Sequence, residues 1–475
     1  MLNKQSFSIK SNHISKMVDS DNEIDNKEES SQQQADLSIG SNSSNSLNPG
    51  VSLEERSKEE KYIDDEEDST FSPLRVRRFA TVMNLLNSLL GAGVLSVPSS
   101  FSNVGLIPSI ILLFLIALLS YIATALIFKL QLETKTAGFD ELAFAIGGKV
   151  WQVILSILTL IFLVAALLAY LILGGDMLTS WFALVDWDME KLWPRAGMIL
   201  IYSLVLPIAL SIPRSIRVLS YFSTATVFFI LLFVISMVVK AIIHFPKYGV
   251  SKSVTYGRFD MKVFQAISVY GLAFSLPIVS LPIVNNYRHN VRKRKIVGLA
   301  ATALCFVLIV IPSVVGYLMF GEETDGNVLK NFDDSDILMT IVRIGFFFVV
   351  SFSYPIVAQP VMGSWSQIIY KENDASTLPT KKRVVVQIIT HVIPVIIAMF
   401  LPEAKPILAV GGAIGGCLVD FSYPPLLWFL YYRPPYVSAT FAGIVLFIIF
   451  GLVTGVISTY QSVLDVIDSF KTVKS

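Results

Sequence analysis

The residues best placed for chemistry lie in one apolar stretch, Phe79 to Asn103, whose middle carries Asn87, Ser88, Gly91, Gly93 and Pro98. The stretch is long and apolar enough to cross a bilayer, which takes about 20 residues. A helix built only as an anchor has no reason to put its weakest helix formers at the centre of hydrocarbon. Backbone that leaves the helix at that depth survives only where protein buries it or where it lines a watery cavity. Its N–H and C=O groups are then open to a ligand. A half-helix N-terminus offers N–H groups and a positive dipole end to an anion. Unwound carbonyls suit an ammonium or a sodium ion. Glycine lets backbone approach that ligand because it has no Cβ. The plainer reading of Gly91 and Gly93 is close packing of a neighbouring helix.

A second interruption follows five spans later. The run Tyr270-Gly-Leu-Ala-Phe-Ser-Leu-Pro-Ile-Val-Ser-Leu-Pro282 places Pro277 mid-span, where it removes a backbone donor. Breaks in spans one and six are what an inverted repeat of five plus five produces, with a site where the halves meet. No residue-level identity between the halves is visible, so the repeat rests on the interruptions. An eleventh span lies outside it.

The elements that hold these breaks are membrane helices. Hydrophobic residues make up 53% of the 475 and charged residues 15%, against roughly 25% charged in a soluble chain. The mean hydropathy is +0.64. Eleven apolar stretches are expected to cross, at 79–102, 106–131, 150–174, 196–213, 217–243, 262–284, 296–320, 337–362, 384–401, 405–430 and 437–459. Lys and Arg collect in alternate connections, including Arg75, Arg77 and Arg78, Arg288 to Lys295, Lys381 to Arg383, and Arg433. That bias puts the N-terminus in the cytosol and residues 461–475, a short tail, on the other side. The first apolar run begins near residue 79, so no signal peptide is expected and the first span acts as its own insertion signal.

Residues 1–70 are rich in Ser, Asn, Gln and acids, with 16 acidic and 7 basic side chains. Such a segment buries too little apolar area to offset its ordering entropy and is expected to be a disordered cytosolic tail. A solvated tail is the default reading; phosphorylation or trafficking signals are the alternative. Cys305 and Cys417 both sit in apolar spans, so no structural disulfide is expected.

Several classes are excluded by what is missing. There is no Walker P-loop, which argues against an ATP-driven pump. There is no TVGYG-type filter and no arginine ladder, which argues against an ordinary potassium channel. No HExxH and no Ser/His/Asp constellation occupies a span, so no enzyme is expected, and nothing points to nucleic acid.

The run Asn84-Leu-Leu-Asn-Ser-Leu-Leu-Gly-Ala-Gly-Val-Leu-Ser-Val-Pro98, with Gly105 after it, resembles the first span of the amino acid/auxin permease family, which includes the sodium-coupled neutral and the vacuolar amino acid transporters. Leu281-Pro-Ile, Gly316-Tyr-Leu-Met-Phe-Gly321, and Phe421 with Pro424 agree with it. The resemblance covers about residues 75–460, the transporter domain. It implies an all-α LeuT-type fold of about eleven transmembrane helices, broken in the first and sixth. It also implies a substrate held by backbone around Asn87, Ser88, Gly91, Ala92 and Gly93, and around Ala273, Phe274 and Ser275. In sodium-coupled members an Asn in the first span and a hydroxyl in the eighth support the ion. Here these are Asn87 and Ser353, with Ser351 nearby. Hydrogen bonding between helices is the alternative role for Asn87 and Ser353. Many relatives use protons instead, so Na+ or H+ both stay open as the co-transported ion, with no other cofactor.

Two positions depart from that pattern. Many members carry an acid shortly after the sixth span, where this chain reads Leu281-Pro-Ile-Val-Asn-Asn286. Conversely, Asp420 falls in the tenth span, where relatives tend to be small or apolar. A carboxylate at that depth is costly and faces the interior or water. It is open to three roles: binding a proton during the cycle, pairing with a cationic substrate, or serving as a structural partner or cytosolic-end residue. His391 in span nine reads as a packed, hydrogen-bonded residue, with proton relay as the alternative. Arg343 reads as snorkelling to the outer interface.

The resulting expectation is a secondary active transporter of L-amino acids, neutral ones by default, in the plasma membrane or a vacuolar or lysosomal membrane. Spans one, two, six and seven would move against spans three, four, five and eight. The alternative is a sensor of the same fold whose tail signals to a soluble regulator; a channel is the third reading.

Overall fold

A computed structural model describes residues 78–472, apart from 92, 188–190, 214–218, 259, 286, 288, 373, 374 and 437. The expectations for residues 1–70, for Ala92 and for Asn286 and Arg288 fall outside these described residues. What is described is helical, without a strand among the described residues.

Ten helices are long and apolar enough to cross a bilayer, and a bent pair makes an eleventh span. The first span is that pair, Arg78–Leu89 and Gly93–Asn103, bent by 57° at the break. The second to fifth spans are Leu106–Thr134, Lys149–Ala183, Leu192–Ser211 and Leu219–Tyr248. The sixth is broken into Lys262–Ala273 and Leu276–Val284. The seventh to eleventh are Val291–Phe320, Ile337–Tyr370, Thr380–Phe400, Lys405–Tyr432 and Ala439–Thr472. The third and eighth helices outrun their apolar stretches by about two turns. Intrahelical hydrogen bonds do not end where hydrocarbon does, and no breaker stops them. The eleventh helix likewise continues to Thr472, through the stretch read as a tail.

Helix ends carry their own signals. Asn290 and Asp336 cap the seventh and eighth helices, accepting from Lys293 N and Met339 N. Lys135, Lys371 and Arg433 close the second, eighth and tenth helices in the left-handed conformation. Each puts a cation at the negative end of a helix dipole. All three lie on the face where the first span begins, called here the basic face; the opposite one is the far face.

The packing is reciprocal around the two breaks. The first half of the first span packs on the second half of the sixth, and the second half of the first packs on the first half of the sixth. This crossing is what two inverted halves produce. The third span packs along the eighth, and the second along the seventh. The sixth and tenth spans are enclosed, with 72% and 89% of their apolar windows buried, against 28% for the eleventh. Large apolar side chains that stay exposed, such as Phe114, Ile157, Ile235, Leu446 and Val456, lie on the outer surfaces of the spans. That is the pattern a lipid solvent requires.

Candidate substrate and ion site

The break in the first span opens after Leu89. The last i→i−4 bond runs from Leu90 N to Leu86 O at 2.9 Å; Gly91 N then turns back to Leu89 O at 3.0 Å, before the helix restarts at Gly93. In the sixth span, Phe274 N still reaches Tyr270 O and Gly271 O, both at 3.2 Å, and Leu276 N turns to Phe274 O at 2.6 Å. Pro277 falls in the first turn of the second half-helix. There its missing N–H costs nothing, because that donor would be unpaired anyway.

The two breaks touch. A Cβ on Gly93 would stand 3.5 Å from both Cα and Cβ of Ala273. Gly93 and Ala273 are therefore brought together at mid-span. Beside Ala273, Phe274 O accepts from the Ser120 hydroxyl of the second span at 2.5 Å. The Ser275 hydroxyl donates to Gly271 O at 3.0 Å. Asn87 is half-buried. Ser88 is exposed, and its hydroxyl donates back to Asn84 O at 2.9 Å.

The eighth-span hydroxyls meet tyrosines. Ser351, fully buried, pairs with the Tyr202 hydroxyl at 2.9 Å. Ser353 is in hydrogen-bonding reach of the Tyr170 hydroxyl on the third span. That same hydroxyl would be 3.0 Å from a Cβ on Gly91. Tyr170 thus links the first-span break to the eighth span, which the sequence reading missed. A tyrosine inside a 35-residue apolar helix carries no local signal; its partners come from two other spans. His391 behaves as a packed residue, its Nδ1 3.0 Å from the Tyr354 hydroxyl.

Asp420 lies in the middle of the tenth span, within a π-helical segment, Gly412–Ser422, and is fully buried. Wide turns of this kind often occur at functional sites. Its Oδ1 accepts from Ile278 N at 3.0 Å, in the second half of the sixth span. The cytosolic-end role is thereby removed. The neutral position after the sixth span is also occupied. Asn285 accepts from Gln131 Nε2 at 2.5 Å, and Gln131 Oε1 accepts from buried Arg294 at 2.7 Å.

On the far face, a cavity of about 650 Å³ is lined by Asp176, Thr179, Arg195, Asp325 and Lys330, among others. Asp176 sits six residues above Tyr170, about 9 Å along the helix. Its carboxylate faces Lys330 Nζ at 3.2 Å and Arg195 Nη2 at 3.6 Å, and accepts from Asn327 Nδ2 at 3.4 Å. The Asp176 charge holds the Lys330 ammonium above the usual lysine range. Loop 321–336 is pinned to the first span as well, where the Ser96 hydroxyl donates to Gly326 O at 2.7 Å. Arg343 belongs to this set and does not snorkel. It is 1% exposed and donates to Leu329 O at 2.9 Å and Phe332 O at 2.7 Å, beside Asp334 at 3.1 Å. A curled loop brings carbonyls inward, so the guanidinium is satisfied inside the protein.

Eleven spans with crossed breaks in the first and sixth define a LeuT-type transporter architecture. The same fold is found in the crystal structure of MhsT in complex with L-phenylalanine. That match has a TM-score of 0.52 and 12% identity, over 82% of this chain and 99% of that one. The family model for transmembrane amino acid transporter proteins matches residues 78–464, and the chain belongs to that family. It is 25% identical over 375 residues to amino acid transporter AVT6E of Arabidopsis thaliana, covering 74% of this chain and 75% of that protein. It is 25% identical over 365 residues to sodium-coupled neutral amino acid transporter 7 of Danio rerio, covering 73% and 77%. These relatives are transporters and not enzymes.

Proposed function

We propose that this protein is a secondary active transporter of neutral L-amino acids that works by alternating access and is driven by a Na+ or H+ gradient. The observation that carries the reading is the meeting of the two breaks at Gly93 and Ala273. A backbone site there reads the α-carboxylate and α-amine that all amino acids share. Buried apolar neighbours such as Phe274 and Leu95 favour a neutral side chain. Residues 87, 88 and 91–93 and 273–275 hold the substrate in this reading.

If Na+ is the co-substrate, Asn87 and Ser353 supply hard oxygen ligands. Tyr202 engages Ser351 at 2.9 Å and Tyr170 reaches Ser353, so each hydroxyl would have to turn from a tyrosine to meet the ion. The basic face is cytosolic in this reading, because Lys and Arg concentrate there. The membrane is the plasma membrane or a vacuolar or lysosomal one. Residues 1–70 form a cytosolic tail outside the transporter domain.

The test is uptake of a panel of radiolabelled L-amino acids by purified protein in liposomes, with Na+ and H+ gradients imposed separately. Accumulation that follows one gradient supports the reading and names the ion. No uptake under either gradient, with the protein folded, refutes it in favour of a sensor acting through the tail.

A further inference from the structure

Asp420 makes one hydrogen bond that matters and lacks another. Ile278, whose N–H it receives, is the third residue of the half-helix Leu276–Val284. The first turn of any helix has N–H groups without intrahelical partners. Ser275 stands at the capping position but makes no side-chain cap, since its proton goes to Gly271 O. A carboxylate from the tenth span therefore caps the second half of the sixth, across the break. Its other oxygen, Oδ2, is buried with no hydrogen-bond partner among the described residues.

An ionised carboxylate satisfied on one side only is costly in a dry interior and calls for a positive partner. The groups that face it are few. The sixth span offers the Ser275 hydroxyl and the Ile278 N–H. Its own span offers the Cys417 thiol, which is turned to Thr454 on the eleventh. The second span offers Ser120, whose proton goes to Phe274 O, and the third packs Phe162 and Ala165 against Gly415 and Gly411. No lysine, arginine or histidine forms an ion pair with Asp420 among the described residues.

Packing is tight one turn along the tenth span from Asp420. The tenth and sixth spans pack backbone to backbone here, so that a Cβ on Gly416 would come within 2.7 Å of Gly271 Cα. The cation that this site takes must need almost no volume. We propose that Asp420 Oδ2 binds the co-transported proton and couples it to movement of the second half of the sixth span. This rests on the transport reading above. The proton is taken from water on one side of the membrane, forms an O–H bond at Oδ2, and is released to water on the other. The ionised carboxylate holds the positive end of the half-helix; protonation weakens that attraction and frees the half-helix to shift against the tenth span.

Asp420→Asn tests this, because the amide oxygen still accepts from Ile278 N–H in nearly the same volume. Two measurements on the full chain in liposomes separate the possibilities. One is exchange of radiolabelled L-amino acids at equal pH on both sides. The other is accumulation driven by one pH unit, without Na+ and with the potential clamped. One pH unit sustains up to about tenfold accumulation for one proton per substrate. The wild type is expected to approach that ratio, and Asp420→Asn to fall to about onefold while still exchanging. Full accumulation by the variant overturns the proton site and leaves transport standing. A wild type that exchanges but ignores the pH gradient does the same. A wild type without exchange overturns the transport reading and the proton site together. If the variant loses exchange as well, infrared difference spectra decide. A protonated-carboxyl band that grows as pH falls in the wild type and is missing in the variant supports the site, and its absence from the wild type overturns it.

Discussion

Replacing Gly91 by alanine should weaken substrate binding, and replacing Tyr170 by phenylalanine should restore most of it. The new Cβ would stand 3.0 Å from the Tyr170 hydroxyl oxygen, closer than such atoms ordinarily come, but 3.9 Å from the ring carbons Cε1 and Cζ. The collision is therefore with one oxygen. Overpacking of this kind costs about 1–3 kcal/mol. Tyr170→Phe alone removes the bond to Ser353 and costs about 1 kcal/mol. In the double variant the oxygen is gone and the methyl meets the ring at ordinary distance. The total should fall to about 1 kcal/mol, a favourable coupling of about 1–3 kcal/mol between the sites. At 1.4 kcal/mol per tenfold, Gly91→Ala should bind roughly five- to a hundredfold more weakly, and the double variant within about tenfold of wild type. The assay is substrate-dependent thermal stabilisation of the purified protein, which reports Kd without transport. A double variant that binds more weakly than Gly91→Ala alone would show that the tyrosine does not face the break in the substrate-bound state.

Three further outcomes can be checked. Gly93→Val should abolish substrate-induced stabilisation while Gly93→Ala retains most of it, because a single Cβ meets Ala273 at an ordinary 3.5 Å and the valine methyls reach beyond it; equal behaviour of the two would place the substrate elsewhere. Lys330→Met should loosen the far-face cluster by leaving Asp176 with Arg195 at 3.6 Å as its cation. A cysteine at Thr179 should then react severalfold faster with an impermeant thiol reagent, over a low background since Cys305 and Cys417 are buried; an unchanged rate would show that the Lys330–Asp176 pair does not hold the cavity lining in place. Arg343→Met should strip three carbonyls and Asp334 of their donor and lower stability by about 1–3 kcal/mol, read as a fall in Tm in detergent.

Much of the architecture follows from composition and pattern. Eleven apolar runs long enough to cross, with glycines at 91 and 93 in the first and Pro277 in the sixth, specify eleven spans with two interruptions. Hydrocarbon offers backbone no partner, so span length and helix breaks are written locally. The placement of Gly93 and Ala273 at a common depth follows from the same rule. What a side chain in a span touches is written nowhere locally. Arg343 looks like an interfacial cation until loop 321–336 curls its carbonyls inward. Ser351 shows no partner in the sequence, and Tyr202 reaches it only from the fourth span. Tyr170 is one apolar-helix residue among many until the first-span break and Ser353 flank it. Asp420 could have lain at a helix end, and only the close approach of Gly271 and Gly416 sets it against the N-terminus of a half-helix. Bilayer physics acts on each span separately and is legible in sequence. Partner choice between spans depends on how the helices cross, which the fold alone decides.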